Sequence, residues 1–248
     1  MSSGLTKALL LIVFLSWSTS CFASQKGKLH LIFTELNYTD VKEFAQDRDA
    51  LLKKLQQTKP FDEFPDAVIA QTLELSPEQK EKAFKPTSSG LSPYEIDPDF
   101  LESLYNEVVV NFKLIILDGQ SSSACAQVTG PDETSVIVLG RQRYGDDVRF
   151  AKAFLHELGH SLGLHDESPA KSMESSVPGY PNCATTREDA EKWWGDLVGK
   201  DQRVRYIHGC CGNMDYFRPT IASLMNDITK AEDFGPVNER YLREILKD

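Results

Sequence analysis

Apolar residues recur at helical spacing through Val148, Ala151, Leu155, Leu158 and Leu162, which predicts an amphipathic helix that Asp146 or Asp147 can cap. The same period, through Val41, Phe44, Leu51, Leu52 and Leu55, predicts a helix over Asp40–Gln57. Further helices are expected over Asp99–Asn111, starting just after Pro98, over Glu188–Val198, and over Val237–Lys247. Short apolar or alternating runs at Lys28–Glu35, Ala67–Leu75, Phe112–Leu117 and Thr134–Leu139 read as strands. The prolines around Ser88-Ser89-Gly90 make Lys85–Pro98 a loop, and Asp166–Pro181, rich in Ser, Pro and Gly, reads the same way. No internal repeat stands out.

The helix over Asp146–Leu162 carries the chain's densest chemistry. It contains His156-Glu157-Leu158-Gly159-His160, and Gly163 and His165 follow; three of the five histidines lie in this stretch. Residues four apart stack one turn above another, so His156 and His160 point the same way and can reach one metal ion. Glu157 is placed to act as general base toward a water at that ion. Gly163 can take the positive φ that ends the helix and turns the chain back, and His165 is then expected as the third ligand. Three protein ligands leave a fourth position open, the catalytic arrangement for zinc. The expected cofactor is a single catalytic Zn2+ ion.

With those residues in view, the chain resembles the metzincin zinc metallopeptidases. The residues set against that family's long motif are His156, Glu157, His160, Gly163 and His165. The resemblance implies an α+β fold, a twisted mixed sheet over the zinc helix with a smaller, irregular C-terminal subdomain ending in a helix. It also implies a methionine turn beneath the metal. Ser223-Leu224-Met225 resembles that turn, with Met214 in Gly212-Asn213-Met214-Asp215-Tyr216 as a competitor. The strand before the zinc helix, Ser135–Gly140, is expected to be the cleft rim that pairs with extended substrate. Thr58–Phe64, the strand Lys113–Asp118 and Arg218-Pro219-Thr220 are similar to the bacterial IgA-peptidase-type metzincins. That pattern often ends in aspartate, whereas here His165 is followed by Asp166, which is expected to orient a ligand from outside the first ring of contacts. Fold and reaction follow from such a resemblance; the target does not.

The N-terminus changes where this chemistry is expected to operate. Lys7, the apolar run Ala8–Leu15 and a Cys21-Phe22-Ala23 cleavage window read as a secretory signal over 1–23. Cys21 raises lipid anchoring as an alternative, but Ser18-Thr19-Ser20 lacks the leucine-like residue usual three positions upstream. The expected organisation beyond it is an N-terminal subdomain over 24–166 and a C-terminal one over 167–248. An exported chain with Cys125, Cys183, Cys210 and Cys211 is expected to hold two disulfides, with Cys210 and Cys211 each pairing to Cys125 or Cys183.

The formal net charge is -10, with acidic residues spread along the chain. No basic stripe is present to favour nucleic acid, and no later segment is apolar enough to insert stably in a membrane. The expected partner is a protein or peptide substrate. Tryptophans Trp193 and Trp194 read as packing, and His208 as a loop histidine with a second reading as donor across the cleft. Two other classes stay open: a zinc hydrolase of a non-peptide amide of the cell-wall type, and a non-catalytic zinc-binding module.

Overall fold

The computed structural model describes residues 28–87, 92–108, 110–126, 128–170 and 178–247. The expected signal segment therefore lies outside the described residues. In chain order the elements are β1 (Leu29–Leu36), α1 (Val41–Gln56), β2 (Val68–Thr72), α2 (Pro77–Ala83), β3 (Phe84–Pro86), β4 (Tyr94–Ile96) and α3 (Pro98–Val108). They continue with β5 (Phe112–Asp118), β6 (Ala124–Ala126), β7 (Ser135–Gly140), α4 (Asp147–Ser161), α5 (Arg187–Trp194), β8 (Ile207–Cys210), β9 (Asn213–Arg218) and α6 (Pro236–Lys247).

The main sheet has five strands in the order β2-β1-β5-β7-β6. The first four run parallel, and β6 alone is antiparallel to its neighbour β7. A parallel strand covered on both faces reads as a continuous apolar run. That accounts for β5, Phe112-Lys113-Leu114-Ile115-Ile116-Leu117-Asp118, in which every residue is buried. On one face Leu31, Phe33, Ile115, Leu117, Ile137 and Leu139 pack against α1 and α4, through Leu51, Leu55, Phe154 and Leu158. On the other, Ile32, Leu114, Ile116 and Val138 meet Ala83 of α2, Phe84 of β3, and Leu104 and Val108 of α3. The expected mixed sheet is present, with helices on both its faces rather than over one.

The segment expected as loop over Lys85–Pro98 contributes the short β3–β4 hairpin, with residues 88–91 outside the described set. Helix α2 was not anticipated, although Ser76 and Gln79 form a reciprocal capping box at its start. A second correction concerns the cleft rim. Strand β7 is paired on both sides, by β5 and β6, so its backbone groups are already in use. The sheet edge beside α4 is β6, only three residues long and too short to stand out as a periodic run.

The first core cluster also takes in Leu224, Met225, Phe234, Leu242 and Leu246 from the C-terminal third of the chain. One disulfide, Cys183–Cys210, ties the stretch after α4 to β8. A second bridge between Cys125 and Cys211 does not form: Cys125 sits on β6 against the sheet's far face, and Cys211 packs beside the Cys183–Cys210 pair. Among the described residues, no helix is long and apolar enough to cross a membrane.

Phe154 lies fully buried between α4 and the sheet, its ring 6.0 Å from that of Phe33. Phe154→Ala removes that contact and leaves a cavity the close-packed sheet cannot collapse to fill. It is expected to cost about 3–5 kcal/mol, read from the midpoint of urea unfolding.

Candidate metal centre

Helix α4 begins at Asp146, whose carboxylate accepts from the Arg149 backbone N–H at 2.8 Å, and it holds its apolar stripe against the sheet. That docking fixes which way His156 and His160 face. The helix ends where Gly163 takes φ +96°, and Gly163 N–H closes on His160 O at 3.0 Å. A Cβ at Gly163 would also sit 2.6 Å from the Tyr241 hydroxyl, so the turn needs glycine twice over.

Each imidazole is oriented by a backbone carbonyl. His156 Nδ1 lies 2.8 Å from Leu224 O, and His160 Nδ1 lies 2.8 Å from Leu164 O. A carbonyl only accepts, so both Nδ1 atoms carry a proton, and each Nε2 is the ring nitrogen left to face a metal ion. Those two Nε2 atoms face each other at 3.0 Å. Asp166 Oδ1 completes a triangle, 3.6 Å from each of them. Protonation is a poor way to relieve the crowding at His160, because burial, with the neighbouring His156, takes its pKa down to about 3.

This geometry bears directly on which residue is the third donor. His156, His160 and Asp166 have donor atoms within 4.8 Å of one another, and His165 is not part of that group. The His165 ring lies against Gly179, where its Nε2 would be 2.7 Å from an added Cβ. Its backbone is held by Asn182, which accepts from His165 N–H at 3.0 Å and donates to His165 O at 2.8 Å. The expectation at His165 is one residue short. The long motif places its last ligand three residues past the glycine, and from Gly163 that position is Asp166.

Three donors around one tetrahedral ion, each about 2.0–2.1 Å from it, stand about 3.3–3.4 Å apart. The separations of 3.0, 3.6 and 3.6 Å bracket that spacing, and the N, N, O donor set suits zinc. Glu157 is on the same helix and 6% exposed. Tyr144, in the turn before α4, is raised to about 12 by burial, with the Glu157 carboxylate adding to the effect, so it stays a hydrogen-bond donor. Sequence reasoning did not single out Tyr144.

Met225 is fully buried beneath the helix, and its Sδ would be 2.5 Å from a Cβ placed on Gly159. Met214, by contrast, is 62% exposed on β9. His208 is exposed on β8 with its ring against Phe217, at a centroid distance of 4.4 Å. Trp194 is fully buried and donates to Arg205 O at 3.1 Å, and Trp193 stacks edge-on with Tyr180.

Glu167, another residue not singled out beforehand, is a fully buried carboxylate beside Asp166. Burial pushes its pKa up, while hydrogen bonds from Ser223, Asn238, Asn182 and Thr220 pull it back down.

No protein-family model matches this chain, and no curated protein matches it. Among solved structures, an archaemetzincin from Methanopyrus kandleri is similar over 91% of this chain and 99% of its own, at 13% identity and a TM-score of 0.40. High choriolytic enzyme 1, a hatching-enzyme zinc protease from the medaka fish Oryzias latipes, is similar over 67% of this chain and 60% of its own, at 14% identity and a TM-score of 0.28. Likeness at that level carries no argument about this chain. The site stands on its own geometry.

Gly159 is where that geometry is tightest, since Met225 and Phe234, both fully buried, crowd the space a methyl would take. Gly159→Ala is expected to destabilise by about 1–3 kcal/mol in thermal melts. Adding Met225→Ala to it should cost less than the two single losses combined, because the second change makes room for the first.

Proposed function

We propose that this chain is an exported zinc-dependent endopeptidase of metzincin type, in which His156, His160 and Asp166 hold the ion and Glu157 is the general base. The observation that carries the reading is the convergence of three donor atoms, the His156 and His160 Nε2 atoms 3.0 Å apart and Asp166 Oδ1 3.6 Å from each. A cation is what such a triangle attracts. The IgA-peptidase-type label remains a resemblance and assigns no target.

Bound there, zinc supplies a Lewis acid that polarises a carbonyl and acidifies water to a pKa of about 7. The chain's own residues do the rest. His156 and His160 are locked in one tautomer by Leu224 O and Leu164 O, so they enter the site without rearrangement. Glu157 takes the proton from the attacking water and returns it to the leaving amine. Its shielding from solvent keeps that proton in the site. Met225 supports α4 from below through the gap at Gly159. Strand β6 is the sheet edge beside α4, and an extended peptide can add to it by backbone hydrogen bonds. Export is supported by the signal-like 1–23 segment and by the Cys183–Cys210 disulfide, which an oxidising compartment maintains.

Zinc content and cleavage of a mixed peptide library, measured together on the mature chain, test this reading. Wild type should hold one zinc and cleave. Glu157→Gln should keep the zinc and lose about 10²–10⁴ in rate. Bound zinc with no cleavage by wild type would overturn the peptidase reading and leave a metal-binding module or a non-peptide amide as substrate.

The same assay decides the third donor. Asp166→Ala should lose zinc as His160→Ala does, whereas His165→Ala should keep it. Zinc lost from the His165 variant and retained by the Asp166 variant would reverse the assignment.

A further inference from the structure

We propose that Glu167 is the positioning residue of the metal centre, a proposal that rests on the metal-site reading above. Its carboxylate is fully buried and accepts four hydrogen bonds. Oε1 takes Asn238 Nδ2 at 2.7 Å and Asn182 Nδ2 at 3.1 Å, and Oε2 takes Ser223 Oγ at 2.7 Å and Thr220 Oγ1 at 3.2 Å. An ionised carboxylate offers about four acceptor sites, so this one is saturated by donors alone.

The donors come from separate parts of the chain. Asn182 lies in the stretch after α4, Thr220 and Ser223 precede Met225, and Asn238 is on α6. Two of them also adjoin something the site depends on. Asn182 brackets the His165 backbone from both sides, immediately before Asp166. Ser223 adjoins Leu224, whose carbonyl holds His156 Nδ1. Glu167's own N–H donates to Met225 O at 2.8 Å. The backbone at Asp166 and just after it is pinned as well, by Cys211 N–H to Asp166 O at 2.9 Å and by Arg218 Nη1 to Glu167 O at 3.0 Å.

One carboxylate thus ties the segment carrying Asp166 to the segment that orients His156, two segments far apart in sequence. Burying a charged group needs full hydrogen-bond compensation, and packing alone would be served by an apolar residue. The position of the knot, with one end beside Asp166 and the other beside the Leu224 carbonyl that orients His156, is what assigns it to the site rather than to the core.

The test is zinc affinity, by competition with a chromophoric chelator, on wild type, Ser223→Ala, Glu167→Gln and Glu167→Ala. Thermal melts of the zinc-free and zinc-loaded forms accompany it, with the visible spectrum of the cobalt(II)-substituted proteins. Glu167→Ala should weaken zinc binding about 10–100-fold and alter the cobalt spectrum. Ser223→Ala, which removes one bond of four, should weaken it less. Glu167→Gln should recover most of the affinity, because its amide can face the two hydroxyls, which accept as well as donate.

Where Glu167→Ala fails to fold, Ser223→Ala carries the comparison. Wild-type zinc affinity and cobalt spectrum in Glu167→Ala, or in Ser223→Ala where the former does not fold, overturn the proposal. So does a zinc-free melting point that falls while the rise on adding zinc is unchanged, the signature of plain scaffolding. A wild-type chain that binds no zinc overturns the metal-site reading instead, and this proposal with it.

Discussion

Two imidazole Nε2 atoms facing each other across 3.0 Å, with a carboxylate oxygen 3.6 Å from each, form the arrangement the rest of this structure serves. Burial, with the neighbouring His156, keeps His160 from taking up a proton. The carbonyls of Leu224 and Leu164 commit the opposite nitrogens, so neither ring gains by flipping. Helix α4 must stop at Gly163 for the chain to return Asp166, and Gly159 must lack a side chain for the Met225 turn to bring Leu224 close. Each of these features is costly or pointless by itself. Together they describe a cage preorganised for a cation, in which little has to move when one arrives.

Much of this was legible in the sequence because it is local. The apolar stripe of α4, its Asp146 cap and the four-residue spacing of His156 and His160 are properties of a single helix, and the helix forms as its period requires. The continuous run in β5 likewise announced a strand, which the structure buries along its whole length. What escaped depends on the path of the backbone after it leaves regular structure. Between His165 and Asp166 the long motif's own count, three residues past the glycine, points to Asp166, so that choice lay in the sequence, whereas the path of the chain past a glycine at φ +96° did not. Asn182, Thr220, Ser223 and Asn238 look like ordinary loop and helix polar residues until folding gathers them on Glu167. Strand order is non-local for the same reason: β7 reads as a strand, but whether it is edge or interior depends on three residues of β6 that carry little pattern.

In the proposed centre, an aspartate in place of a third histidine alters the electrostatics. With three histidines a divalent ion keeps its full charge; with Asp166 the ion and its ligands sum to one positive charge. A less positive centre attracts an oxyanion less and acidifies water less, so more of the chemistry falls on the group that moves the proton. Glu157, on the helix and 6% exposed, is suited to that larger share because little water competes for its proton.

The same substitution gathers carboxylates. Glu157, Asp166 and Glu167 lie within eleven residues of one another in sequence and are all buried or nearly so. Glu167 is satisfied by four uncharged donors and needs no cation. Asp166 has no such set: burial raises its pKa, and the neighbouring His156 and His165 offset that only in part. A divalent ion between the imidazoles supplies what Asp166 lacks and leaves Glu167 untouched. Of two adjacent acidic residues, then, one is completed by the protein and the other is left for the metal. That division of labour explains why a charged residue, rather than an apolar one, stands directly behind the third ligand: it is fully occupied by its own donors, so it fixes the loop without competing for the ion.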